Sequence, residues 1–129
     1  MTPTAKVVSL LSDNAKSLPG INEDLIYAFG IEKDDANNDS CIVVVSEIPA
    51  GSHEFGNNSV IGTYRRIQID FYYPRDYTGD MDLTEKSVES FLRANKIRCY
   101  SDVGHVMTPD TQNIINTLKF NYLETEDEK

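Results

Sequence analysis

Three groups of residues in this chain have the types and spacing that could support chemistry. Asp35, Asn37 and Asp39 stand where a calcium-binding loop places its first, third and fifth ligands. Such a loop turns on a glycine at its sixth position and closes on a glutamate at its twelfth; Ser40 and Ser46 stand there instead, so the spacing predicts a solvated turn. His53-Glu54 has the wording of half a zinc-protease motif, but no histidine follows four residues on, and Gly51 and Gly56 flank it as loop residues. The other histidine, His105, is isolated in sequence and reads as solvated. Asp76, Asp80 and Asp82 beside Arg75 would suit hydrolysis only if an apolar pocket raised one carboxyl's pKa, and no apolar neighbour does so in sequence. They read as turn and cap residues. With no P-loop, dinucleotide fingerprint or nucleophile elbow, the chain is expected to be no enzyme and to need neither metal nor cofactor.

Any such residues must be positioned by one small fold. A chain of 129 residues forms a single domain, read here as residues 1–123, with 124–129 as a flexible acidic tail. The net charge is −9, of which the tail supplies −3, so the body is itself acidic. Phosphate binding needs a basic face, and the longest basic grouping is Arg65-Arg66 inside a strand, so sequence-specific nucleic-acid binding is not expected. No apolar run approaches the ~20 residues of a membrane helix, and the N-terminal residues lack the pattern of a signal peptide. Synthesis in the cytoplasm follows as the expectation. Cys41 and Cys99 lie in apolar runs, without a second cysteine at metal-ligand spacing, and read as buried free thiols.

Thr2-Pro3 opens an amphipathic helix through Val7, Val8, Leu11, Ala15 and Leu18, which Pro19-Gly20 ends. Strands are expected over 25–29 and 41–48, separated by the acidic loop 32–39. The unbroken run Ile42 to Val45 requires cover on both faces. Residues 49–59 read as a long loop. From Tyr64 to Tyr73, Ile67, Ile69 and Phe71 alternate with Arg66, Gln68, Asp70 and Tyr72, a half-exposed strand. After a second loop, 74–82, Asp82 and Glu85 form a capping box ahead of Val88, Phe91, Leu92 and Asn95. Ile97, Cys99 and Val103 mark the inward face of a further strand, Leu118, Phe120 and Tyr122 that of the last, and 104–112 joins the two as a hairpin. The order α-β-β-β-α-β-β predicts an α+β fold, two helices packed on one mainly antiparallel sheet.

Tyr64, Tyr72, Tyr73 and Tyr77 cluster with Arg65 and Arg66, and tyrosine with arginine is typical of protein interfaces. The exposure pattern nominates Tyr64, Arg65, Arg66 and Tyr72 on the strand and His53, Glu54, Phe55 and Asn57 in the long loop as interface residues.

The phrases GINEDLIYAFGIEKDD, CIVVVSEIPAGSHEFGNNS and TYRRIQIDFYY resemble the small tail-component proteins, the tail-terminator or tail-completion proteins, of long-tailed phages and prophages of Gram-positive bacteria. The resemblance extends over nearly the whole chain and is weaker over the last third. It implies a ring, usually of six copies, that caps the head-proximal end of the tail tube, stops its polymerisation and docks the head-tail connector. The implied partners are the chain itself, the tail-tube protein and the connector. The implied location is the virion tail, assembled in the host cytoplasm. No catalytic residue is implied. A head-tail joining protein or other monomeric adaptor, and a small enzyme of unknown chemistry, remain as alternative readings.

Overall fold

The computed structural model describes residues 2–29, 40–48, 53–56, 59–107 and 113–125, with backbone alone at 53–56, 59–63 and 125. The acidic loop with Asp35, Asn37 and Asp39 therefore lies outside the described residues, as does Asn57.

The first helix, α1 (Pro3–Asp13), begins as its sequence requires: the Thr2 hydroxyl accepts from the Ala5 N–H and Pro3 occupies the first turn. It ends earlier than its apolar spacing suggested. Asn14 turns its side-chain amide onto the Leu10 carbonyl at 2.9 Å, and Ala15–Ser17 continue as a short 3-10 turn that still buries Ala15 and brings Leu18 inward. The second helix, α2 (Met81–Ala94), is capped by Asp80, whose carboxylate accepts the Leu83 N–H at 3.0 Å. The expected cap, Asp82, sits two residues too far in, inside the first turn, and Glu85 caps nothing. Its position on the Glu85–Val88–Leu92 stripe carries it into the interior instead.

The strands are β1 (Ile26–Ala28), β2 (Ile42–Ile48), β3 (His53–Gly56), β4 (Ser59–Tyr73), β5 (Arg98–Asp102), β6 (Val106–Met107) and β7 (Ile114–Thr125). They form one sheet in the order β1-β2-β4-β7-β5, with β3 beside the start of β4 and β6 beside the start of β7. Only β1 with β2 is parallel. The fold is α+β, as its element order predicted, with β3 and β6 as short additions. The segment read as one long loop thus contains a strand: His53 to Gly56 pair with Ser59 to Thr63, and a register shift between Glu54 and Phe55 marks a bulge. At the other terminus β7 runs through Glu124 and Thr125, so the strand enters the segment read as tail.

Both helices cover one face of the sheet. Val7, Leu11, Val88 and Leu92 pack there on Val43, Val45, Ile67, Ile69, Phe71, Leu118 and Phe120, all of them buried. Burying one such side chain is worth about 1.5–3 kcal/mol, so this face supplies the main cohesion of the fold. The unbroken β2 run is covered on both sides as expected, because Ile42 and Val44 pack with Leu25, Tyr27 and Tyr72 on the opposite face.

Candidate functional site

Polar residues in the inward register of an apolar strand or helix must find partners, since an unpaired buried polar group costs about 1–3 kcal/mol. Three such residues meet in this fold. Tyr73 follows Ile67, Ile69 and Phe71 in the inward register of β4, Asn116 precedes Leu118 and Phe120 in that of β7, and Glu85 lies on the inward stripe of α2. Tyr73 donates to Glu85 Oε2 at 2.6 Å, and the Asn116 amide donates to Glu85 Oε1 at 2.7 Å. Both bonds are buried. Their acceptor is a carboxylate, which makes them stronger than neutral pairs.

The network reaches the surface through the turn after β5. Asn116 also donates to Asp102 Oδ1 at 3.0 Å, and the Gly104 N–H donates to Asn116 Oδ1 at 3.0 Å. Gly104 has φ +96, in the left-handed region, while a Cβ there would meet nothing within 4 Å. Conformation, not space, selects the glycine. The turn it makes returns the chain over α2 and sets His105 Nε2 2.8 Å from Glu85 Oε2, with the imidazole 6.1 Å from the Tyr73 ring. His105 was expected to be a solvated loop residue; its ring is instead held by a carboxylate, although part of it remains in contact with solvent.

A histidine beside a buried carboxylate is the geometry of an oriented base, but base catalysis also needs something to activate. Burial pushes the Cys41 thiol up to about 12, helped by the charge of Glu85, so the nearby sulfur stays protonated. Burial likewise raises Tyr73, with Cys41 and its bond to Glu85 adding to the shift, and the phenol remains a donor. The arrangement therefore ties α2, β4, β7 and the β5–β6 turn together. Among the described residues no group of three histidine, cysteine, aspartate or glutamate side chains is placed to hold a metal ion. No helix among them is long and apolar enough to cross a membrane.

The nominated interface residues divide between two faces. Tyr64, Arg66 and Tyr72 share the open face of β4 with Gln68 and Asp70, where Thr117 donates to Asp70 Oδ1 at 2.7 Å. Arg65 lies in the opposite register and pairs with Glu124 at 3.2 Å. Adjacent residues in a strand point to opposite faces, so Arg65 and Arg66 cannot form one patch. Tyr73 leaves the tyrosine cluster for the core, and the Tyr77 ring packs against it in a tilted arrangement, 5.0 Å between centres. The backbone of His53, Glu54 and Phe55 belongs to β3, at the far end of β4 from Tyr72.

Residues 2–123 match the family described as Protein of unknown function (DUF806). The chain belongs to that family. No curated protein matches it. The DUF806 match takes in Tyr73, Glu85, His105 and Asn116, along with the open face of β4. Sequence reading missed the buried group, though it left a signal: Asn116 and Glu85 each interrupt an inward apolar stripe, which marks a polar residue in need of a partner.

The edges of the sheet differ from one another. One ends on β1, where Phe29 donates its N–H to the Val45 carbonyl at 2.8 Å and leaves its side chain 65% exposed. The opposite edge carries Tyr100, Val103, Val106 and Met107, all exposed. Val103 was expected to point inward. A register shift between Cys99 and Ser101 on β5 inserts Tyr100 as an extra residue and reverses the alternation beyond it.

Proposed function

We propose that this protein is a structural component of a phage tail, a subunit that associates head-to-tail into a ring, usually of six copies, at the head-proximal end of the tail tube. Its partners in this reading are further copies of itself, the tail-tube protein and the head-tail connector. The observation that carries the proposal is the pair of unlike sheet edges. A cyclic head-to-tail contact uses two different surfaces of each subunit. Phe29 at the β1 edge and Tyr100, Val103, Val106 and Met107 at the β5–β6 edge supply two such surfaces, each with exposed apolar groups at a margin of the sheet formed by the described residues. The closed hydrogen-bonding of Glu85 supports the same reading, because it fixes the turn between β5 and β6 and thus the shape of one edge. The resemblance of the sequence to tail-terminator proteins adds the assembly in which such a subunit works.

The test is the solution mass of the full chain across protein concentration at low ionic strength. The expected result is a discrete oligomer near six subunits. A monomer at every concentration, with and without magnesium, would overturn the ring.

A further inference from the structure

A pocket of about 170 Å³ opens where the start of α1, the end of α2 and the end of β7 converge, lined by Lys6, Asn95, Lys96, Tyr122 and Leu123. Cofactor sites run to roughly 300–1,000 Å³, and a water occupies about 30 Å³, so the space suits a single side chain. Two lysines line this one pocket in a chain that carries 12 lysines and arginines against 21 acids. No carboxylate among the described residues pairs with either lysine. The Lys6 ammonium is held 4.5 Å above the centre of the Tyr122 ring, which fixes its direction while leaving its three donors largely unspent.

Lys96 adds an independent observation. It follows α2 at φ +67, the left-handed position where helices ordinarily place glycine. Its N–H closes the helix end on the Arg93 carbonyl at 2.9 Å, a bond glycine would make equally well with less strain. A favourable charge at the helix end is already supplied by Arg93 in the last turn. A strained lysine in place of glycine points to use of its side chain.

We propose that this pocket is a carboxylate-binding site that receives an acidic side chain from a second copy of the chain. The inference rests on the self-association proposed above and adds its electrostatic contact. Subunits that each carry −9 repel one another, and a pocket lined by two lysines is where such a contact gains most from opposite charge.

The experiment is sedimentation velocity on the full chain, comparing wild type with Lys96→Gly and Lys6→Gln at low salt and at about 0.5 M salt, where exposed ion pairs are screened. Lys96→Gly relieves the strained backbone, so its melting temperature should equal or exceed that of wild type and lost association could not be blamed on misfolding. The expected result is a dissociation constant raised at least tenfold in each variant at low salt, with wild type weakened toward the variants at high salt. Variants that associate as tightly as wild type would overturn the pocket's role while leaving the ring intact. A wild type that never associates would overturn both.

Discussion

Asn116 on β7 and Glu85 on α2 meet at 2.7 Å in the interior, 31 residues apart in sequence. The carboxylate they share with Tyr73 and His105 is the point where helix, sheet and the β5–β6 turn are fastened. Replacing Glu85 with alanine would leave a buried phenol and amide without their acceptor. The expected loss is about 3 kcal/mol, read as a lower urea midpoint at unchanged slope. Glu85→Gln, which keeps an acceptor for Asn116, should lose about half as much. A loss under about 0.5 kcal/mol for Glu85→Ala would mean that the network contributes nothing to stability.

Alkaline pH should weaken the fold through Cys41. Burial favours the thiol over the thiolate, so the folded chain holds this proton more tightly than the unfolded chain, with a pKa raised from 9.0 to about 12. The stabilisation is fully present below pH 9 and drains away as the pH rises through the folded value. Over that window it amounts to something on the order of 4 kcal/mol. Cys41→Ala should flatten the fall of melting temperature between those limits. A slope identical to wild type would remove Cys41 as its source. The same shift predicts that Cys41 resists alkylation at pH 8 until the chain is unfolded.

Two glycines with positive φ separate steric from conformational demands. Gly20, at φ +79, lies so close to Thr84 on α2 that a Cβ would collide with the threonine hydroxyl, whereas Gly104, at φ +96, has open space. Gly104→Ala should cost about 1 kcal/mol for the left-handed backbone alone. Gly20→Ala should cost about 2–3 kcal/mol, because the linker must also move off α2. Equal losses in denaturant titrations would show that the contact with Thr84 is easily relieved.

Neighbouring arginines should respond differently to the same change. Arg65→Glu opposes Glu124 across the strand pair and should lower monomer stability by about 1 kcal/mol. Arg66→Glu changes the open face of β4, where stability should stay within about 0.5 kcal/mol while self-association weakens. Melting curves and solution mass together read both effects. An unchanged oligomer in Arg66→Glu would take that residue out of the interface.

At the β5–β6 edge, Val106→Lys should leave the melting temperature unchanged, since the side chain is exposed, but should lower the oligomer mass at a fixed concentration. An oligomer as stable as wild type would exclude this edge from the contact.

The α+β order, the Thr2 cap, the two-sided burial of Ile42 to Val45 and the inward registers of β4 and β7 were all present in the sequence, because each depends on neighbours within a few residues. Local periodicity sets which way a side chain points. It does not set what the side chain meets. Asn116 and Glu85 were readable as misplaced polar residues, but only the sheet order β4-β7-β5 and the seat of α2 across it made them partners and drew His105 out of an apparent loop. The bulge at Tyr100 likewise arises from how β5 meets β7, and it turns Val103 toward solvent against its local pattern. Nor could spacing bring Lys6 to Lys96, at opposite ends of two helices. Sequence fixes the strong short-range terms, while the pairing of distant polar groups and the exposure of each sheet edge are decided by packing, where one residue of register exchanges a buried face for an open one.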